Sequence, residues 1–562
     1  YQMTEADASV QKLPINKAET CSILSYGFNP EISSWSPFHG AVYAIIESIA
    51  RVVASGGNYQ KIRFSFQEYF KKLGDNPLNW GEVFAALLGA LYTQDAFLLP
   101  SIGGKDSMSG SFNDLHVPPT LVSFAVMTEN IENIISQEFK AANNYLYLFD
   151  YDTDSCFLPN INTLKSNYDY IYRGVKSKTI ISAMAVKNGG VAEVLAKMAF
   201  GNKIGFKVKA DLDLYSPKYG AILVESVTEI KAKNADFIGM TTTDELIIGE
   251  SHFTIAEALN SYQETFKSIY PLTKVNEGKI VDNYPLPTPI IKTKGMMIEP
   301  EVLIPIFPGT NCEYETEKAF IDAGAKTKTL VFQNLNKTMI KESLKRFELA
   351  INKSQILVFS GGFSAGDEPD GSGKFIKAVL MNESIRAAIE KFLDHDGLIL
   401  GICNGFQALI KSGLLPYGKI GLVKDNSPTL VRNNISRHVA KMVRTKITSK
   451  ISPWFMDMEL NDVYHVAVSH GEGKFVGSTD VIKKLFLSGQ VATQYVDFDN
   501  NPTMDGEFNP NGSYSAIEGI TSPCGKILGK MGHSERMVEG LYKNFPVGKS
   551  QNIFKNGVNY FK

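Results

Sequence analysis

The chain has 562 residues, of which 44% are hydrophobic, and its 57 Lys and Arg nearly balance its 59 Asp and Glu, for a net charge of −2. This length is too great for one hydrophobic core and predicts about three or four domains. The balanced charge gives no electrostatic reason to expect binding to nucleic acid or to a membrane, and no apolar run is long enough to span a bilayer. Five cysteines without a CxxC pair are typical of a reducing compartment, so we expect a cytoplasmic location. Because the chain begins at Tyr1 rather than Met, we expect it to be part of a longer protein.

The first 290 residues alternate helical and strand patterns, which predicts mixed α/β structure. The predicted helices cover residues 41–54, 80–91 and 191–199, and the predicted strands cover residues 97–99, 122–127, 145–149 and 220–225. A glycine-rich loop after the first strand contains Gly104, Lys105, Asp106 and Ser107. Its backbone N–H groups, ammonium and hydroxyls suit a phosphate. A polar turn is an equally good interpretation, because the spacing is not that of a P-loop.

Strands and helices alternate again in residues 300–562, which predicts a parallel sheet. The predicted strands cover residues 302–307, 329–332, 355–360 and 398–400, and the predicted helices cover residues 316–323 and begin again at 406. In such a sheet the ligand crevice lies at the carboxyl ends of the strands. We therefore expect two glycine-bearing loops, 361–366 and 401–405, to meet at this edge.

Cys403 follows the last of these strands in the sequence GICNG and precedes a helical pattern. A strand, a glycine-flanked nucleophile and a helix form a nucleophile elbow, here with cysteine in place of serine. The glycines allow the tight turn, and the helix start favours the thiolate through unpaired N–H groups and a positive dipole end. For this motif on its own, a buried cysteine in an ordinary turn would be the simpler interpretation.

A cysteine nucleophile needs a base, and His533 is the best candidate among eight histidines. Glu535 is two residues away, so in an extended chain both side chains share one face and Glu535 can orient the imidazole. His470, in the sequence SHGEG, is the rival base and also has a glutamate two residues on. The other histidines, among them His438, lack such a partner and are interpreted as structural.

The two glycine-bearing loops also predict an oxyanion hole. If they meet at the sheet edge, the backbone N–H groups of Gly362 and Phe363 can face that of Asn404. Such donors stabilise a tetrahedral intermediate on Cys403.

These motifs together resemble those of class I glutamine amidotransferases: GICNGFQ around Cys403, GGFSAGD at 361–367 and His-x-Glu at 533–535. PGTNCEYETEKAFIDAGA at 308–325, SHGEG at 469–473 and QYVD at 494–497 are similar to the glutaminase domain of the phosphoribosylformylglycinamidine (FGAM) synthase family. GFNPEISSWSPFHGAVYAIIES and PSIGGKDSMSG, in the first 290 residues, resemble the second synthetase-like copy of the same family. The resemblance covers essentially the whole chain and implies that the family's amino-terminal half is missing.

The resemblance implies a fold class of α/β and α+β domains. These are an AIR-synthetase-like unit with domains over 1–140 and 141–290, a linker over 291–300, and an amidotransferase domain with a flavodoxin-like parallel sheet over 301–562. It implies a carbon–nitrogen ligase of purine biosynthesis in which Cys403 attacks glutamine, His533 is acid and base, and Glu535 orients His533. Gln407 matches a glutamine that helps hold the substrate, and His470 is expected among the glutamine-binding residues. The ammonia would serve the conversion of formylglycinamide ribonucleotide (FGAR) to FGAM with ATP and Mg²⁺, largely in the absent amino-terminal half.

In relatives with an auxiliary nucleotide, acidic residues of this copy hold magnesium, and Asp7 and Glu47 match two of those positions. Arg51 stands where those relatives have asparagine, and Ala185 and Lys187 stand where they have an aspartate and a serine. Because Mg²⁺ prefers anionic oxygen ligands, we expect this site to be degenerate or to hold phosphate without metal. A solvated helix position is an equally good interpretation of Glu47.

Two other functions stay open from the sequence: a non-catalytic scaffold subunit, and another cysteine hydrolase or deglycase on the same type of sheet. The combination of His533 and Glu535 with Gln407 favours the amidotransferase. The hydrolases do not need a glutamine-holding residue at that position.

Overall fold

A computed structural model gives the fold of residues 3–13, 15, 17–271, 273, 274, 278, 280, 295, 297–364, 373–538, 541, 542 and 551–562. The chain divides into two compact units, Tyr1–Phe266 and Lys267–Lys562. The predicted linker over 291–300 falls partly outside the residues that the structure describes. Within the described ranges, no helix has both the length and the apolar character needed to cross a membrane.

The first unit contains two main sheets and a short hairpin. Its strands are β1 (Ser9–Lys12), β2 (Thr20–Gly27), β3 (Arg63–Tyr69), β4 (Ser101–Lys105), β5 (Ser111–Phe112), β6 (Leu115–His116), β7 (Thr120–Asn130), β8 (Tyr145–Phe149), β9 (Ile180–Ala185), β10 (Phe206–Val208), β11 (Ile222–Ser226), β12 (Ala235–Thr241), β13 (Glu245–Ile248) and β14 (Ser251–Thr254). Its helices are α1 (Pro30–Trp35), α2 (Pro37–Ala54), α3 (Pro77–Phe97), α4 (Ile161–Lys176), α5 (Gly190–Asn202) and α6 (Ile255–Glu264).

The five-stranded sheet of this unit has the order β1-β2-β7-β3-β4, and the seven-stranded sheet has the order β14-β13-β10-β12-β8-β11-β9. Helix α2 is buried along most of its length and packs against β2, β7 and β9, so it contacts both sheets. Its first turn is fixed by Ser36, whose side chain accepts from the His39 N–H, and by Pro37 at the first helical position. Two sheets covered by helices confirm the mixed fold class.

Helix α3 differs from its prediction at the carboxyl end. Residues 97–99 were predicted as a strand, but Phe97 is the last residue of the helix, which ends where Leu98 has φ 58°. Apolar residues continue at helical spacing through Phe97, so the short apolar run belongs to the helix. The strand begins later, at Ser101, and pairs parallel with β3.

The second unit contains a nine-stranded sheet and a two-stranded one. Its strands are β15 (Glu301–Ile306), β16 (Lys326–Val331), β17 (Ile356–Phe359), β18 (Leu398–Ile402), β19 (Thr429–Arg432), β20 (Val439–Ile447), β21 (Val463–His470), β22 (Glu472–Val476), β23 (Val491–Tyr495), β24 (Ile517–Thr521) and β25 (Ile527–Lys530). Its helices are α7 (Glu313–Asp322), α8 (Lys337–Ile351), α9 (Lys374–Leu380), α10 (Glu383–Asp394), α11 (Asn404–Ser412), α12 (Leu414–Tyr417), α13 (Thr479–Leu487) and α14 (Ile553–Asn559).

The large sheet has the order β16-β15-β17-β18-β25-β24-β23-β20-β21. The first five strands are mutually parallel, as predicted, whereas β24, β23, β20 and β21 extend the sheet by antiparallel pairing. Strands β17 and β18 are buried at every residue because helices cover both faces of the parallel part. The carboxyl ends of β15, β17, β18 and β25 therefore share one edge, where the loops with chemical groups lie.

Candidate active site

Strand β18 is followed at once by Cys403 and helix α11. Cys403 has φ 52° and ψ −104°, a conformation that residues with a side chain rarely adopt. The neighbouring glycines are required by close packing, because a Cβ on Gly401 would lie 2.5 Å from Leu409 Cδ1. A Cβ on Gly405 would lie 1.9 Å from the carbonyl oxygen of Phe359. The sequence motif therefore folds into the predicted elbow, with the thiol buried at the edge of the sheet.

His533 lies in the turn that follows β25. Its backbone N–H donates to the Ala467 carbonyl of β21 at 2.8 Å, which fixes the turn against the sheet. Residues Ser534–Arg536 form a 3₁₀ turn, so the expectation of an extended chain at His533 and Glu535 is wrong. The turn still brings the two side chains together, and Glu535 Oε1 lies 2.5 Å from His533 Nδ1. Both side chains are buried.

The charges of this pair stabilise one another. Burial on its own would lower the pKa of His533, but the negative charge of the Glu535 carboxylate is the largest opposing effect and raises this pKa well above its ordinary value. Burial on its own would raise the pKa of Glu535, but the charge of His533 lowers it. The Glu535 carboxylate therefore stabilises the imidazolium form of His533, and an imidazolium beside a thiol favours the thiolate. His533 Nε2 is buried and has no hydrogen-bond partner among the described residues.

A cavity of about 310 Å³ is lined by both Cys403 and His533. The predicted site residues that line it are Cys403, His533, Gly362, Phe363, Gln407 and His470. Asn404 and Glu535 do not line the cavity; they are buried and contact residues that do. The structure thus brings the predicted glutaminase residues into one place.

The structure differs from the predicted oxyanion hole at one donor, the backbone N–H of Phe363. The two glycine-bearing loops meet, since the Ser364 N–H donates to Asn404 Oδ1 at 3.3 Å. However, the Phe363 N–H donates to the carbonyl of Gly309 at 2.7 Å. The expectation that Gly362 and Phe363 face Asn404 with open donors is therefore wrong for Phe363 in this conformation. The acceptor of that N–H, the Gly309 carbonyl, belongs to a third loop, which follows β15.

Gln407 is held by the protein on both of its polar atoms. Its Oε1 accepts from Asn404 Nδ2 at 2.9 Å, and its Nε2 donates to the backbone carbonyl of Glu472. An amide has two N–H groups and two lone pairs, so each polar atom has one further bond to offer a ligand. The side chain is thereby fixed in one orientation at the wall of the cavity.

His470, the rival base, is neutral. Burial and the charges of His533 and His438 lower its pKa to about 3. Its Nδ1 lies 3.2 Å from Asn433 Oδ1, and its Nε2 is buried without a hydrogen-bond partner among the described residues. A group with so low a pKa accepts a proton poorly at neutral pH, so His533 is the better base.

Cys312 is a site residue that sequence reasoning missed. Its Sγ lies 3.9 Å from His533 Nδ1 and accepts from Arg536 Nη2 at 3.0 Å. Ligand atoms of Cys312, His533 and Glu535 lie within 4.8 Å of one another, a donor set that could hold a metal ion. Cys312 lies in the PGTNC sequence that follows β15. Its position after a predicted parallel strand could have indicated that it lies at the same sheet edge.

His438 also lines the cavity, although the sequence interpretation treated it as structural. Its Nε2 lies 3.0 Å from Ser469 Oγ. No short spacing links His438 to Cys403 or His533, so no local sequence signal could have placed it here. Pairing between β20 and β21 brings it to the cavity.

Asp7 and Glu47, the candidate magnesium ligands, contact two cations in the first unit. Lys187 Nζ lies 3.5 Å and Arg51 Nε 3.8 Å from Asp7 Oδ1. Arg51 Nη1 lies 3.7 Å from Glu47 Oε1. The Ala185 N–H donates to Asp7 Oδ2 at 2.7 Å.

These contacts do not fit a magnesium site. Mg²⁺ needs several anionic or neutral oxygen ligands in octahedral geometry, and here an ammonium and a guanidinium lie against the two carboxylates. Burial raises the pKa of Glu47 to about 7, with Arg51 and Lys187 opposing that rise. Because Glu47 is buried, its interpretation as a solvated helix position is wrong.

The glycine-rich segment of the first unit is not the loop that was predicted. Gly104 and Lys105 end β4, which is an exposed edge strand. Lys105 Nζ donates to the carbonyl of Asp106, and the Ser107 N–H donates to the carbonyl of Glu68. Phosphate binding at these residues stays a prediction.

Comparison with known proteins matches the second unit to a family. The model of the CobB/CobQ-like glutamine amidotransferase domain family matches residues 299–561. Phosphoribosylformylglycinamidine synthase subunit PurQ of Dehalococcoides mccartyi is 34% identical over 275 residues, which cover 47% of this chain and 98% of that protein. The same subunit of Methanococcus maripaludis is 31% identical over 284 residues, with 47% of this chain and 98% of that protein covered.

Solved structures give more distant similarities. The structure of PurLQS from Thermotoga maritima has 24% identity and a TM-score of 0.35, and covers 47% of this chain and 100% of that chain. The structure of T. maritima PurL complexed with FGAR has 13% identity and a TM-score of 0.37, and covers 52% of each chain.

Proposed function

This chain belongs to the family of phosphoribosylformylglycinamidine synthase subunit PurQ, and we propose that Cys403, His533 and Glu535 are its catalytic triad. Membership makes the chain a component of a glutamine-dependent ligase of purine biosynthesis. The observation that supports the residue roles is the elbow cysteine in one cavity with a histidine that a buried carboxylate orients. A cysteine nucleophile needs that arrangement.

In the proposed reaction the Cys403 thiolate attacks the side-chain carbonyl carbon of glutamine, and an electron pair moves to the oxygen. The tetrahedral intermediate collapses with cleavage of the C–N bond, while the His533 imidazolium donates a proton to the departing ammonia. Neutral His533 then takes a proton from water, and the hydroxide attacks the thioester carbon. Glutamate leaves, and the Cys403 thiolate and the imidazolium are restored.

The oxyanion of the intermediate needs donors at the sheet edge. We assign this role to the N–H groups of Asn404 and Phe363, and Gly362 supplies the backbone freedom beside them with its φ of 150°. Phe363 can contribute only after its bond to Gly309 opens. Removing one such donor typically costs about 10²- to 10³-fold in kcat.

Labelling with a glutamine-like diazo-ketone tests the assignment of the nucleophile. We expect one adduct on Cys403 in the full 562-residue chain and none in Cys403→Ala. Cys312→Ala is the matched control, because Cys312 is the other cysteine lining the cavity, and its adduct on Cys403 should remain. An adduct on Cys312 in the unaltered chain would contradict the proposal.

The same labelling separates the alternative functions. A non-catalytic scaffold would take no adduct, and a cysteine hydrolase of another class would react equally with electrophiles that lack the amino-acid end. In the complete enzyme, Cys403→Ala should abolish glutamine-dependent synthesis and leave ammonia-dependent synthesis intact. Loss of both activities would instead indicate a structural role for Cys403.

We further propose that the ammonia is used with FGAR and ATP by an amino-terminal synthetase half, as part of the same chain or as a separate one, in the cytoplasm. An exposed apolar face on the first sheet supports such a partner. Tyr26 on β2 and Phe124 on β7 are opposite one another in register, and both are more than a third exposed, as is Leu24. Burial of such neighbouring apolar side chains by a partner would be favourable.

For the auxiliary nucleotide site we propose that no Mg²⁺ binds between Asp7 and Glu47. Arg51 and Lys187 already neutralise these carboxylates. Crystals soaked with ADP and Mg²⁺ should show no metal there. A well-occupied metal on Asp7 and Glu47 would contradict this.

A further inference from the structure

Three arginines line the cavity that contains Cys403, and they differ in what they contact. Arg536 donates to Cys312 Sγ at 3.0 Å, so it is engaged with a thiol. Arg432 is exposed, whereas Arg437 is half-buried. A half-buried cation is less well solvated than an exposed one. It therefore attracts an anion into the cavity more strongly than a cation that water solvates.

The guanidinium of Arg437 is held in place by two neighbouring residues. It lies 3.7 Å from the centre of the Tyr270 ring, and its Nη2 donates to the backbone carbonyl of Pro271. Stacking and one hydrogen bond fix the plane of the group but use only one of its five N–H donors. The remaining donors are available for a further acceptor.

The charge of Arg437 is not neutralised within the part of the chain that the structure describes. No carboxylate of the described residues forms an ion pair with it. The acidic residue of the cavity wall, Glu472, pairs instead with Lys411 at 2.9 Å. An anionic group that entered the cavity would therefore find Arg437 as its charge partner.

We propose that Arg437 binds the α-carboxylate of the substrate glutamine and that Tyr270 positions its guanidinium. This inference rests on the proposed function. It explains how the same site selects an amino acid rather than a simple amide. Glutamine carries one carboxylate at the end opposite its reactive carboxamide. A guanidinium matches a carboxylate with two parallel hydrogen bonds, so it fixes direction as well as charge.

Tyr270 lies outside the residues 299–561 that match the amidotransferase family. The positioning residue therefore comes from a segment that precedes the family domain. This places a determinant of glutamine affinity in a part of the chain that a comparison with single-domain relatives would leave out.

Two electrophiles of different shape test the role of Arg437 in the full chain. We expect Arg437→Met to slow labelling of Cys403 by 6-diazo-5-oxonorleucine, which has an α-carboxylate, by about 10- to 100-fold at low reagent concentration. Labelling by iodoacetamide, which lacks the carboxylate, should keep its rate. Arg432→Met is the matched control and should change neither rate.

The role of Tyr270 is tested with two variants. Loss of a stacking contact at an exposed ring predicts that Tyr270→Ala raises the KM for glutamine by about two- to fivefold with kcat unchanged. Tyr270→Phe keeps the ring and should restore the original KM. A fall in kcat or in iodoacetamide labelling in Tyr270→Ala would show that the residue supports the fold rather than Arg437.

The inference is overturned if Arg437→Met reacts with both reagents as the unaltered chain does, or if Arg432→Met shows the selective loss instead. If the diazo reagent fails to label Cys403 in the unaltered chain, the proposed function itself fails. The two failures are therefore distinguishable.

Discussion

His470 is a neutral histidine beside a charged one, and this has a consequence for stability in acid. Its pKa in the folded protein is about 3, against 6.5 in an unfolded chain. Below pH 6.5, His470 binds a proton in the unfolded chain but not in the folded chain. The contribution of His470 to the free energy of unfolding is therefore complete above that pH and falls by about 1.4 kcal/mol per pH unit below it.

We expect His470→Gln to remove this dependence, because glutamine can keep the hydrogen bond to Asn433 without titrating. The test compares the free energy of unfolding of the second unit with pH in both chains. The contribution of His533 is complete below pH 6.5 and that of Glu535 is complete above pH 4.5, so neither changes between these two values in either chain. Parallel curves between pH 4.5 and 6.5 would show that His470 does not stay neutral.

At the scale of an element, the elbow depends on the contact of helix α11 with strand β17. A Cβ on Gly405 would lie 1.9 Å from the Phe359 carbonyl oxygen, which is a backbone atom and cannot turn aside. We expect Gly405→Ala to destabilise the second unit by about 1–3 kcal/mol or more. Thermal unfolding measures the effect.

The control for this substitution is Gly471→Ala. No atom lies within 4 Å of a Cβ at that position, so we expect a change of less than about 0.5 kcal/mol. Equal loss of stability in both variants would contradict the helix–strand contact as the reason for glycine at position 405.

The elements that local patterns describe were predicted well, and those that need distant pairing were not. The strand β18, Cys403 and helix α11 follow from an apolar run, two glycines and a helical period, all within a short stretch. The contact of His533 with Glu535 was predicted for the wrong reason, because the spacing also suits a tight turn. A two-residue interval does not distinguish an extended chain from a 3₁₀ turn.

The parts of the site that were missed come from separate loops. Cys312 and the Gly309 carbonyl come from the loop after β15, and His438 comes from the segment just before β20. No spacing in the sequence reports a contact between residues so far apart. The four antiparallel strands of the large sheet were missed for the same reason, since their pairing is set by packing rather than by a repeated pattern.

At the scale of the whole molecule, the apolar face of the first sheet is the surface we expect an amino-terminal half to cover. Phe124→Glu would place a charge in the middle of that contact, beside Tyr26. We expect it to weaken association with the separately produced half, measured by co-purification and by FGAM formation. Tyr215→Glu, at a side chain that is 75% exposed elsewhere in the first unit, is the control and should leave association unchanged.

A backbone N–H serves one strong acceptor at a time. While the Gly309 carbonyl in the loop after β15 accepts the Phe363 N–H, that N–H is not available to an oxyanion on a glutamine bound at Cys403. If Phe363 is an oxyanion donor, as proposed, glutamine hydrolysis requires that its hydrogen bond to the Gly309 carbonyl opens first.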